Sequence, residues 1–218
     1  MIYIYNDLES FSENDYLCLL EKVPEQRADK CRRYRFFEDQ RTSLIAYLLL
    51  LWGAGREYGI RGNIHLHTEK NGKPYAHIPG LCFSLSHSRE GAMCCVDSLD
   101  VGCDVEYTAK ELFFPKYVFS REEYVLVCSC PKPEAAFTKL WTLKEAYAKC
   151  LGTGLADDQI SCARLAAGLE RPCFSYNGKK LISGELNGLF WAACYDGCSK
   201  ADLAAPVIVS KKELLDLF

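Results

Sequence analysis

The chain lacks the marks of several large protein classes. Its longest apolar run, Leu44 to Trp52, is far short of the ~20 residues of a membrane-spanning helix and reads as a buried helix, so no membrane partner is expected. The start, Met1 to Tyr5 followed by Asn6, Asp7 and Glu9, has neither the basic region nor the apolar stretch of a secretory signal, which gives a cytoplasmic expectation. No Gly-rich phosphate loop of dinucleotide or nucleotide type is present, and Ser86-His87 lacks the elbow spacing of a hydrolase nucleophile. There is no excess of basic charge: 26 Lys and Arg against 29 Asp and Glu give −3, so nucleic acid is not an expected partner and any anion site must come from a local cluster. The 13 cysteines include no Cys-x-x-Cys pair and are odd in number in a chain too long to need staples. Free core thiols are expected, not zinc ligands or disulfides.

What is there is a repeated order of elements. Residues 8–58 carry helical patterns, broken at Pro24 and ended by Gly53 and Gly55, and residues 61–107 read as short strands with a turn at Asn71-Gly72-Lys73-Pro74. A second helical stretch from about Pro133 to Cys150 is followed by strand-like runs separated by Asn177-Gly178 and Asn187-Gly188, both hairpin signals. Helices precede strands twice. The pattern predicts an α+β fold of two similar halves, divided as residues 1–104 and 105–218.

Four clusters carry possible chemistry. In Val101-Gly102-Cys103-Asp104-Val105-Glu106 the apolar residues take one strand face, leaving Gly102, Asp104 and Glu106 on the other. Carboxylates at i and i+2 lie roughly 6–7 Å apart, close enough to share a hard cation, and the glycine leaves space for a ligand. A solvated strand face explains the same alternation. In Trp141-Thr142-Leu143-Lys144-Glu145-Ala146-Tyr147-Ala148-Lys149, a helix opened by Pro133 and closed by Gly152, Lys144 falls inside the apolar face and must snorkel or meet an anion. Glu145 and Lys149 sit at its border, one turn apart, where an ordinary surface ion pair is the alternative. A basic run, Arg27, Lys30, Arg32, Arg33, Arg35 and Arg41 with Thr42 beside it, suits a phosphate or a solvated helix face. Phe83-Ser84-Leu85-Ser86-His87-Ser88 offers hydroxyl and imidazole donors, or a structural histidine at a strand end.

Taken together these motifs resemble the 4′-phosphopantetheinyl transferases of the long, surfactin-synthetase-associated type, which have a Gly-x-Asp-x-Glu strand (Gly102 to Glu106) and, about 35 residues on, a Trp-x-x-Lys-Glu-(Ala/Ser)-x-x-Lys helix (Trp141 to Lys149). Lys30-Cys31-Arg32-Arg33, Arg41-Thr42, Gly72-Lys73-Pro74 and Ser86-His87-Ser88 extend the likeness upstream. The resemblance implies a monomeric pseudo-dimer with the active site in the cleft between its halves. The N-terminal half would bind the nucleotide and phosphates, and the C-terminal half the metal and the carrier protein. It implies that Asp104, Glu106 and Glu145 bind Mg²⁺, that Glu145 and Lys149 are catalytic, and that Arg27, Lys30, Thr42, Lys73, Pro74, Ser86, His87 and Lys149 hold coenzyme A. The implied reaction moves the phosphopantetheine arm of coenzyme A to a serine of an acyl or peptidyl carrier protein. Cys103, Ser84 and Thr153 depart from the family's usual isoleucine or valine, asparagine and lysine. Two other classes remain open on the residues alone: a metal-dependent phosphodiester or pyrophosphate hydrolase, and a non-enzymatic coenzyme A or carrier-protein binding module.

Overall fold

Two long helices, each laid on a four-stranded sheet, organise the chain. A computed structural model describes residues 1–115, 118–155, 163–199 and 205–218. In order these form β1 (Ile2–Tyr5), α1 (Glu13–Leu20), α2 (Glu25–Arg32), α3 (Phe37–Tyr58), β2 (His67–Thr68), β3 (Pro74–Tyr75), β4 (Cys82–Ser88), β5 (Gly91–Asp97), β6 (Val101–Tyr107), α4 (Arg121–Cys128), α5 (Pro133–Leu151), β7 (Cys173–Tyr176), β8 (Lys179–Leu186), β9 (Leu189–Asp196), β10 (Val207–Ile208) and α6 (Lys211–Leu215). The mixed α+β class agrees with the sequence pattern.

The first sheet runs β10-β1-β5-β4 and the second β6-β9-β8-β7. Alternation along the strands builds three apolar layers. Tyr3, Tyr5, Phe83 and Cys94 pack under Leu44, Leu48 and Leu51 of α3. Leu181, Ala192 and Cys194 pack under Leu140, Leu143 and Tyr147 of α5. Between the sheets Ile2, Ile4, Met93 and Cys95 meet Val101, Cys103, Val105 and Tyr195. Central strands with apolar cover on both faces need continuous apolar sequence, which is why β5 and β9 are buried almost end to end.

Several local expectations hold for physical reasons. Asn177-Gly178 and Asn187-Gly188 adopt positive φ at all four residues and turn the hairpins β7-β8 and β8-β9. Pro133 opens α5 and Gly152, at φ 72°, closes it. The expected end of α3 at Gly53 and Gly55 is corrected: the helix continues to Tyr58 and is capped by Gly59 at φ 67°. Gly53 instead admits β1, since a Cβ there would lie 2.5 Å from the Tyr3 ring. All of β6 pairs with β9, so the division after residue 104 falls inside a strand of the second sheet, while β10 returns the tail to lie parallel to β1. Every cysteine among the described residues is a free thiol.

Candidate active site

A backbone contact between β6 and α5 sets Asp104 against Lys149. A Cβ on Gly102 would lie 2.1 Å from the Ala146 carbonyl oxygen and 2.3 Å from the Cys150 nitrogen, so only glycine lets the helix lie on the strand. This corrects the expectation that Gly102 leaves room for a ligand: the space is filled by α5. The solvated-face reading of β6 fails for the same reason, since α5 leaves Asp104 only 2% exposed.

Asp104 Oδ1 accepts hydrogen bonds from Ser86 Oγ at 2.7 Å and Lys149 Nζ at 2.6 Å, while its Oδ2 is buried and accepts none. Lys149 also donates to Ser86 Oγ at 3.1 Å and lies 4.0 Å from Glu145 Oε2, so the expected i,i+4 pair is the weaker of its two carboxylate contacts. Burial, then the Asp104 carboxylate, push the Glu106 carboxyl up to about 8, with Lys149 acting against them and Glu145 adding to them. Burial also raises Glu145, opposed by Lys149 and aided by Asp104. Burial disfavours the Lys149 ammonium, but Asp104 and Glu145 hold its pKa above the ordinary lysine value.

Next to this group lies a space lined by cations. A cavity of about 220 Å³ is lined by Arg27, Lys30, Tyr34, Ser86, His87 and Lys149. A second, of about 240 Å³, is lined by Lys73, Pro74, Leu85, Glu145 and Lys149, so the two share Pro74, Leu85 and Lys149. Arg27 is fixed by donating to the Ser43 carbonyl and, at 2.9 Å, to Ser43 Oγ, and its Nε is buried without a partner. Burial, then Arg27, Lys149 and Lys30 in turn, hold the His87 imidazole down to about 4. Partial desolvation of its ammonium, then Arg27, likewise lower Lys30, although the residue as a whole is exposed. A cavity of about 490 Å³ at the far end of α3, between Trp52, Arg61 and Phe218, contains none of the candidate residues.

The donor set suits a hard cation. Asp104, Glu106 and Glu145 offer only carboxylate oxygens, one of them orphaned, and two carry pKa values raised in part by their neighbours' charge, a strain that a dication relieves. The trio is not a finished cage: among the described residues no group of three or more His, Cys, Asp or Glu side chains stands ready to hold a metal ion. The Lys149 ammonium instead supplies the positive charge at Asp104.

A strand carboxylate gripped by a helix lysine beside a basic cavity is the setting in which the family comparison falls. Residues 100–182, spanning β6 and α5, match the model of the 4′-phosphopantetheinyl transferase superfamily. The chain is 34% identical over 158 residues to the 4′-phosphopantetheinyl transferase Sfp of Bacillus subtilis strain 168, covering 70% of each protein. It belongs to this family. It is also similar to the 4′-phosphopantetheinyl transferase psf-1 of Bacillus pumilus, 36% identical over 61% of this chain and 58% of the relative. The HetI transferase of Nostoc sp. is 32% identical over 58% of each chain.

Within this phosphopantetheinyl transferase the residues expected at the site separate into groups. Arg27, Lys30, Ser86, His87 and Lys149 line one cavity, and Lys73, Pro74 and Glu145 the adjoining one. Thr42 is fully buried and reaches the cavity only through His87, whose Nδ1 lies 3.3 Å from its hydroxyl. The rest of the basic run is scaffold or surface: Arg32 pairs with Glu25 and Asp29, and Arg41 donates to the Leu8 and Phe11 carbonyls. Lys144 does meet an anion, but the wrong one for a role at the carboxylates. It bonds Glu123 at 2.8 Å and the Val118 carbonyl at 2.8 Å, with no solvent exposure at either side chain of the pair. Three contributors escape the motif reading. Tyr34 Oη lies 3.1 Å from His87 Nε2, Asn71 donates to the Gly152 carbonyl at 2.7 Å, and Ser84 Oγ accepts from Cys103 N at 3.0 Å. Asn71 carried a turn signal and Ser84 its place in the Ser84-Leu85-Ser86-His87 run, while Tyr34 carried none.

Proposed function

We propose that the protein transfers the 4′-phosphopantetheine arm of coenzyme A to a serine hydroxyl of a carrier protein, releasing adenosine 3′,5′-bisphosphate, with Mg²⁺ held by Asp104, Glu106 and Glu145. The observation that carries this is the single lysine common to both sides: Lys149 lines the basic cavity and also bonds Asp104. A pyrophosphate bound by Arg27, Lys30 and His87 would thus end beside the carboxylates. A hydrolase needs no such anchorage for a bisphosphate leaving group, and a binding module needs no carboxylate with an orphaned oxygen.

The serine oxygen attacks the β-phosphorus of coenzyme A, and the phosphoanhydride bond to the nucleotide breaks. Glu145, whose burial raises its affinity for a proton, takes the serine proton. Lys149 and the Arg27, Lys30 and His87 cluster take up the charge developing on the leaving bisphosphate. Bound Mg²⁺ would act as a Lewis acid on the pyrophosphate oxygens.

We assign the nucleotide and phosphates to the part of the chain containing α2, α3 and β4, and the metal and carrier protein to the part containing β6 and α5. The two helix-on-sheet layers support a pseudo-dimer acting as a monomer from the cleft between them. No helix among the described residues is long and apolar enough to cross a membrane, and a cytoplasmic carrier is the intended acceptor. Incubation with coenzyme A, Mg²⁺ and a panel of apo carrier proteins tests the reading. It predicts a mass gain of one phosphopantetheine on at least one carrier, and coenzyme consumption without any acceptor gain would overturn it.

A further inference from the structure

The His87 imidazole is held at both nitrogens. Thr42 Oγ1 has one proton, and it goes to the Glu38 carbonyl one helical turn back, at 3.0 Å. While that proton stays on the Glu38 carbonyl, the same oxygen accepts from His87 Nδ1, 3.3 Å away, which favours the hydrogen on Nδ1; turned toward the ring, it would instead donate, so the partner of Nε2 decides the tautomer. A neutral ring protonated at Nδ1 has its lone pair on Nε2, and the Tyr34 hydroxyl, 3.1 Å away, donates to it. The Tyr34 ring is set edge-on to the imidazole, with centroids 5.1 Å apart at 84°.

This arrangement has the wrong polarity for an anion. The groups around the imidazole are Arg27 and Lys30 of α2, Tyr34 after it, Thr42 and Ser43 of α3, Ser86 of its own strand, and Lys149 of α5 with Asp104 of β6 behind it. Its partner on β5 is Ala92, which brings no charge. Three cations thus face a neutral ring whose outer nitrogen accepts the Tyr34 proton and has none to give. A phosphate entering among them finds no donor at Tyr34 or the ring, because the hydroxyl proton is spent on Nε2, unless that nitrogen is protonated.

We propose that Tyr34 is a positioning residue of the coenzyme pocket: with Thr42 it locks empty His87 in the Nδ1–H form, so that docking a phosphate draws one proton from solvent onto Nε2. The proton and the anion enter together. The imidazolium then donates through Nε2, directly or by handing the Tyr34 hydroxyl proton on to a phosphate oxygen. Burial and the three cations keep the empty ring neutral near pH 7, and an anion's charge reverses that balance. Coenzyme affinity should therefore strengthen as pH falls from 8 to 7, by up to about tenfold per unit. The proposal rests on the coenzyme reading above.

Two measurements test it. Imidazole ¹⁵N NMR of the ligand-free protein at pH 7 should show His87 neutral with the hydrogen on Nδ1, and Tyr34→Phe should mix the tautomers. Calorimetric titration with coenzyme A, in phosphate-free buffers of different ionisation enthalpy with EDTA in place of Mg²⁺, should show close to one more proton taken up by the parent than by His87→Gln. An Nε2–H tautomer in the parent, an unchanged spectrum in Tyr34→Phe, or binding with no proton difference would overturn the proposal and leave the coenzyme reading standing. Absence of coenzyme binding, with or without Mg²⁺, would remove both.

Discussion

Helix α5 presents two lysines to two acids, and the two pairs differ in what surrounds them. Lys144 and Glu123 have no exposed side-chain surface, the ammonium has a second acceptor in the Val118 carbonyl, and the Phe119 ring lies 5.2 Å from the charge. Lys149 is 31% exposed against 4% for Asp104, it opens onto two cavities, and one oxygen of its partner is left over. The first pair is closed and ties the start of α4 to α5. The second is open on the side where a ligand arrives. Five residues of helix separate a structural charge from a chemical one, and the opening of Lys149 onto the cavities tells them apart, since each acid leaves one buried carboxylate oxygen without a hydrogen bond.

The largest expected effect lies on the open side. Glu145→Gln keeps the shape but cannot take a proton or offer a negative ligand, so kcat should fall ~10²–10⁴-fold with the thermal unfolding curve preserved. A folded variant turning over within a few-fold of the parent would leave Glu145 with only a surface pair's role. Breaking the closed side should cost stability instead. Lys144→Met strands Glu123 without its counter-charge and should lower unfolding free energy by about 3–5 kcal/mol in denaturant titrations, whereas a loss under about 1 kcal/mol would mean the pair is not closed.

Much of this contrast is legible in the sequence, because a lysine in an apolar helical stripe demands an anion wherever the fold supplies one. Which anion is not legible. Glu123 belongs to α4, which lies outside the expected helical stretches although its Ser120 and Glu123 form a capping box. The period-two face of β6 and the Asn-Gly turns are short-range and were readable. The close approaches of Tyr3 to Gly53, of Gly102 to Ala146 and of Tyr34 to His87 each join residues distant in the chain, and no local pattern encodes them.

Smaller effects sharpen the comparison on the anion side. Lys30→Ala removes one charged contact to a bound phosphate, about 1.5–3 kcal/mol, so KM for coenzyme A should rise roughly tenfold or more with kcat little changed. An unchanged KM would return Lys30 to the solvated surface of α2. A further effect is on stability against pH. His87 is held down to about 4, below its ordinary value of 6.5, so between those values the unfolded chain binds the proton that the folded one refuses. Stability should therefore fall as pH drops from 6.5 toward 4 and level off below. His87→Gln should flatten that part of the curve, and an equal slope in both proteins would contradict the buried neutral ring.

The most direct measurement removes both charges from each pair in turn, so that neither variant strands a buried partner, and compares transfer rates by phosphopantetheine mass gain on an apo carrier protein. Glu123→Gln with Lys144→Met should remain folded and transfer within about tenfold of the parent, since a neutral pair that fits can replace a closed ion pair. Asp104→Asn with Lys149→Met should also remain folded but lose transfer by at least ~10²-fold, the scale of a lost catalytic group. Equal losses in the two double variants, or a faster rate in the second, would contradict the division of α5 into a structural and a chemical lysine.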